Sequence, residues 1–217
     1  MRGHSLRYGT FLLLAATAGV TSSARAQALH YPAFQHPHIV QREFNIGVAG
    51  GDGTALVGDW REGLGPSSSF LLHVGLFDPE GGADTRFMFG GGFQYQLTRS
   101  TQEMPLDLML TAGGYVSFGD DLTIVRLPFG VSAGHRFTGQ GQVAFTPFVH
   151  PRISLDFCGD CGDDTDVGIA FDLGLDVELT RAISLRGAVT LGGGGYFEDA
   201  DSSFGVAVAI RPRAAAR

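Results

Sequence analysis

The chain has 217 residues, a span suited to one domain with a short appendage. Hydrophobic residues make up 44% and charged residues only 17%, which is low for a surface that meets water on all sides. The 15 basic residues are all arginine, the formal charge is −7, and an acidic chain of this kind makes a poor partner for nucleic acid.

The first 26 residues have the layout of a secretory signal. Arg2 and Arg7 give a positive start, Phe11 to Val20 form a short apolar core, and Ala24-Arg25-Ala26 is an A-x-A cleavage site. Ten apolar residues are too few to cross a bilayer as a helix. The mature chain is expected to begin at Gln27, and loss of three arginines takes its formal charge to −10. Residues 27–42, "QALHYPAFQHPHIVQR", hold proline and histidine without a clear period and read as a flexible leader.

From residue 43 the pattern changes to period two, broken at regular intervals by turn-rich stretches. Phe44 to Gly51 and Thr54 to Trp60 read as two short strands around an Asp52-Gly53 turn, and Ser69 to Phe77 as a third. Phe87 to Leu97 puts Phe87, Phe89, Phe93 and Tyr95 on one face, and Gly90, Gly92, Gln94 and Gln96 on the other. The alternation continues through Leu106–Phe118, Thr123–Phe137, Val143–Phe157, Val167–Leu179, Ile183–Gly193 and Phe204–Ile210. A helix would send positions i and i+2 to opposite sides, so these segments are strands. The series predicts an all-β, antiparallel up-and-down barrel of eight to ten strands over residues 43–211, with a tail at 212–217.

Which face looks outward follows from what the polar face holds. A solvated face should be rich in charge, yet this one is rich in glycine, which gains nothing there and costs backbone entropy. In a narrow barrel, inward glycines leave room for the few large side chains that must fit. The apolar face, including Phe87, Phe89, Phe93, Leu110, Phe129, Val131, Phe171, Leu173 and Leu175, is therefore expected to face lipid. Eleven residues at about 3.3 Å each, tilted ~45°, climb roughly 26 Å, close to the apolar band of an outer-membrane barrel. Phe87, Phe118 and Phe157 would mark one rim, and Tyr95, Phe137 and Phe145 the other. Inside, Arg126, Arg136, Arg152, Arg186 and Arg211 can meet Asp107, Asp156, Asp172, Asp176 and Glu178 in a crossed network that fills the lumen.

On the signal, the period-two strands, and stretches such as "FTPFVHPRISLDF" followed by "VGIAFDLGLDVELTRAISLRG", the chain resembles the small outer-membrane β-barrel proteins, the OmpA/OmpX-like class of porin-family barrels, over residues 43–211. The resemblance implies a barrel in the outer membrane and no catalytic signature. Two features depart from that class. The last strand ends at Ile210, where such barrels usually end on an aromatic residue, and Pro128, Pro147 and Pro151 fall inside strands, where each removes a ladder hydrogen bond.

Candidate chemistry is sparse. Cys158 and Cys161, the only two cysteines, are expected to form a loop disulfide in an oxidising compartment. The aspartates around them lack the spacing of a calcium loop, and His30, His36 and His38 fall short of a closed metal site. His150 and Ser154 share a face but lie about 13 Å apart along a strand, too far for a nucleophile and its base. The sequence thus calls for no enzyme, no metal and no cofactor. It predicts a monomer in outer-membrane lipid with a structural or interaction role, or a narrow pore. The competing reading is a soluble periplasmic lipocalin-like barrel carrying an apolar ligand.

Overall fold

The computed structural model describes residues 29, 31–80, 84–119, 122–139, 143–159, 165–192 and 202–212. The expected signal at 1–26, Cys161 and the end of the tail lie outside them. Among the described residues no helix is long and apolar enough to cross a membrane, which leaves open crossing by strands.

The alternating segments become ten long strands and one two-residue strand. They are β1 (Arg42–Gly50), β2 (Gly53–Gly63), β3 (Ser68–Pro79), β4 (Arg86–Thr98), β5 (Asp107–Gly119), β6 (Leu122–Gly134), β7 (Phe137–Thr138), β8 (Ala144–Cys158), β9 (Thr165–Glu178), β10 (Ile183–Leu191) and β11 (Ser202–Ile210). Each long strand pairs antiparallel with its sequence neighbours, and β6 pairs directly with β8 past the small β7. The ring closes where β1 meets β11, with Phe44 opposite Ile210 and Gly50 opposite Phe204. The result is a closed ten-stranded up-and-down barrel, at the upper end of the eight to ten strands expected.

Side-chain direction follows the period-two pattern. Phe89, Leu110, Phe129 and Leu173 are 53%, 42%, 48% and 38% exposed on the outer wall, while Val131, on the same parity, is half-buried. Phe87, Phe93, Phe171 and Leu175 also face out. A lipocalin-like barrel would bury this set around its axis, so the structure overturns that reading. Aromatic pairs gather at both rims. Phe87 stacks on Phe118 at 5.9 Å at the mouth away from Arg42 and Ile210, which we call the far mouth, and Phe137 stacks on Phe145 at 5.1 Å at the near mouth. Phe44, Trp60 and Phe70 extend the near cluster.

The inward glycines do make room. A Cβ on Gly90 or Gly113 would meet the Tyr115 ring at 2.5 or 2.8 Å, and one on Gly174 would run into Phe148. Two of the three strand prolines, Pro128 and Pro151, fall at breaks in pairing, while Pro147 stays in register with Leu175. The β5–β6 ladder skips Gly113–Gly114 opposite Leu127–Pro128, and the β6–β8 ladder skips Val131–Ser132 opposite His150–Pro151.

Candidate functional site: the charged lumen and the segment inside it

The main difference from expectation is the leader. Residues 27–42 were expected to be a flexible leader, but Leu29, Phe34, Gln35 and His36 are buried at 1–6% exposure within the lumen. Arg42 belongs to β1. The physical reason is a seat shaped for the segment. The Phe34 ring stands where a Cβ on Gly205 would be 2.7 Å away, and Pro37 lies over Gly134. The wall then grips backbone carbonyls. Arg61 donates to Phe34 O at 2.8 Å, Arg152 to Tyr31 O at 3.0 Å, Arg126 to Leu29 O at 2.9 Å and Gln96 to Pro37 O at 2.9 Å. Ser132 Oγ donates to Gln35 O, and Gln94 meets the Gln35 side chain.

These contacts give the segment a direction. Val40 and Gln41 lie against Gly63 at the near mouth, where β1 begins. His38 faces Asp107 and Pro37 touches Gln96, both near that mouth. Leu29 reaches Arg126, which lies toward the far mouth, four residues into β6. The leader thus runs up the barrel from the near rim into its far half.

The charged residues form several separate groups around it. Arg186 is the hub of the near half. It donates to Glu43 at 2.7 and 2.8 Å, to Asp176 at 3.0 Å and to Asn45 at 2.8 Å, and Arg211 adds to both carboxylates. Arg126 makes a two-pronged pair with Asp156 at 2.8 and 2.6 Å, and Arg152 reaches Asp172 at 3.2 Å. Arg136 pairs with Glu178 at 2.9 and 2.8 Å at the exposed near rim. Asp107 meets no arginine partner from the expected set. It accepts from the Ser100 backbone N–H at 2.9 Å and faces His38 at 3.8 Å.

Sequence reasoning passed over several lumen residues, among them Glu43, Asp59, Arg61 and His73. These four are on the inward parity of β1, β2 and β3, opposite Phe44, Trp60 and Leu72, so the same alternation could have found them. Asp59 meets His73 Nδ1 at 2.6 Å, and the other ring nitrogen of His73 meets the Tyr31 hydroxyl of the leader. Across the lumen, His150 Nδ1 meets Asp172 at 3.0 Å and its Nε2 meets Thr111 Oγ1 at 2.9 Å. His150 thus works with Thr111 and Asp172, and Ser154 lies apart. Asp172 also accepts from Thr190 at 2.7 Å and from Arg152, which makes it a junction of the wall network. A cavity of about 60 Å³ remains between leader and wall, lined by Tyr31, Asp59, His73, Tyr115, His150 and Arg152 among others. Cys158 ends β8, buried, and its expected partner Cys161 is outside the described residues. No cluster of three or more His, Cys, Asp or Glu that could hold a metal occurs among the described residues.

A closed antiparallel ring with an apolar exterior and a polar, charged interior defines an outer-membrane-type β-barrel. No family model matches the chain, and no curated protein matches it in sequence. Among solved structures it is similar to one described as a bacterial polysaccharide outer membrane secretin, at 12% identity and a TM-score of 0.50. That match covers 74% of this chain, which spans 57% of the secretin chain. A mutant of Rh. blastica porin aligns at 10% identity over 78% of this chain and 98% of that one, with a TM-score of 0.21. The secretin likeness speaks to fold alone.

Proposed function

We propose that this is an integral outer-membrane protein, exported by its signal peptide and inserted as a monomer in outer-membrane lipid. Its kinship to the OmpA/OmpX-like barrels is one of architecture. Its resting state is a sealed barrel with a structural or interaction role. The observation that supports sealing is the occupied lumen, where the leader and the Arg186 and Arg126 ion pairs fill the axis. The outward apolar wall supports insertion, since exposed phenylalanines and leucines on every long strand would associate in water. The Cys158–Cys161 disulfide belongs to this reading as a staple of the β8–β9 loop.

Cell fractionation combined with gel mobility of heated and unheated samples tests it. The reading requires the chain in the outer-membrane fraction, with a folded band that shifts on boiling. Recovery as a soluble periplasmic protein would refute it.

A further inference from the structure

We propose that the leader is a removable stopper, and that its withdrawal turns the sealed barrel into a conduit for small hydrated ions. The inference rests on the outer-membrane reading above and adds an activity to it. Four independent features point to a seat built for release.

First, the wall is complete without the leader. All ten long strands pair on both sides, and none of the described residues from 29 to 41 joins a ladder. Second, the arginines that grip the leader keep wall partners of their own. Arg126 holds Asp156, Arg152 holds Asp172, and Arg61 stands 3.6 Å from Glu43. Withdrawal therefore strands no buried charge, the event that would otherwise forbid it. Third, the leader and the wall around it are imperfectly satisfied. Phe34 has φ of 46°, a left-handed conformation that a bulky side chain rarely adopts. His36 Nε2, Arg61 Nε and Arg152 Nε are buried with no hydrogen-bond partner among the described residues, and water entering the lumen would satisfy all three. Fourth, the path is short. The leader joins β1 at the near mouth, so it can leave by the mouth it entered, turning about Gln41 and Arg42. The wall left behind mixes small or polar groups, including Gly92, Gly113, Thr111 and Tyr115, with apolar ones such as Val57, Leu71, Met88 and Phe148, so the wet path runs along the polar side of the lumen.

The test uses the full mature chain in planar bilayers. Phe34→Asp loosens the stopper, since it replaces the ring seated over Gly205 with a charge. Gln94→Ala with Gln96→Ala is a milder loosening outside the ion-pair network. Each is combined with a lock, Gln35→Cys with Gln94→Cys or, on the milder background, Gln35→Cys with Ser132→Cys, and the parent chain is recorded with and without reductant. The expected result is a rise of at least tenfold in open time for the loosened chains, abolished when the lock is oxidised and restored by reductant. Loosened chains that insert, keep their heat-modifiable band and stay as silent as the parent overturn the proposal. So does equal conductance with the lock oxidised and reduced. Should Phe34→Asp fail to fold, the glutamine variants decide by the same criteria. A parent chain that never enters the bilayer overturns the outer-membrane reading, and the stopper with it.

Discussion

Removal of Arg186 is the most demanding test of the lumen network. The guanidinium is fully buried and makes four hydrogen bonds, two to Glu43 and one each to Asp176 and Asn45. Arg186→Ala leaves two carboxylates in the barrel. Arg211 remains on both, at 2.8 Å from Glu43 and 3.3 Å from Asp176, and Arg61 stays 3.6 Å from Glu43. Breaking a buried pair by deleting one partner costs about 3–5 kcal/mol, and the remaining cations place this variant toward the lower end. The control is Arg136→Ala. Arg136 has a similar two-pronged bond to Glu178, but its side chain is 43% exposed, and an exposed pair contributes about 0–1 kcal/mol. Urea unfolding from lipid vesicles, followed by fluorescence of Trp60, the single tryptophan, measures both. The expected difference between the two variants is about 2–4 kcal/mol on these figures. Equal losses would refute the claim that burial raises the cost of removing the guanidinium.

Leu173→Arg puts a charge mid-strand on the outer wall and should destabilise the barrel in vesicles by about 2–4 kcal/mol, whereas a soluble barrel would tolerate it. Gly174→Val drives a side chain into the Phe148 ring and should cost about 1–3 kcal/mol. Adding Phe148→Ala should recover part of that loss, and strictly additive losses in the two-variant cycle would count against the contact. A thiol assay on the unreduced, unfolded chain should find no reactive cysteine if Cys158 and Cys161 are joined, and two if they are not.

The barrel was legible because its signal is strictly periodic. In "FMFGGGFQYQL" each step flips the side chain, so the outward Phe89 and the inward Gly90 are fixed by the same alternation. The break at Pro128 was legible too, since a residue without an N–H removes a ladder bond, as it does between β5 and β6. The leader was not. Tyr31, Phe34 and Pro37 follow no period, and their burial depends on glycines at 134 and 205, more than 90 residues away. The charge network was legible by type and only partly by partner. The parity of Arg186 predicts that it points inward, but its bonds to Glu43 depend on closure of the ring, which brings β1 beside β11 and so near β10.

That closure has a consequence for how the chain can fail. Phe44 and Ile210 stand opposite each other from near the two ends of the barrel sequence, so the seam that closes the ring joins the partners most distant in sequence. A chain lacking Ser202–Ile210 would leave β1 and β10 each with a bare edge of unanswered amides and carbonyls. Lipid offers no donors or acceptors to quiet such an edge, so truncated chains should recruit strands from one another and aggregate instead of inserting.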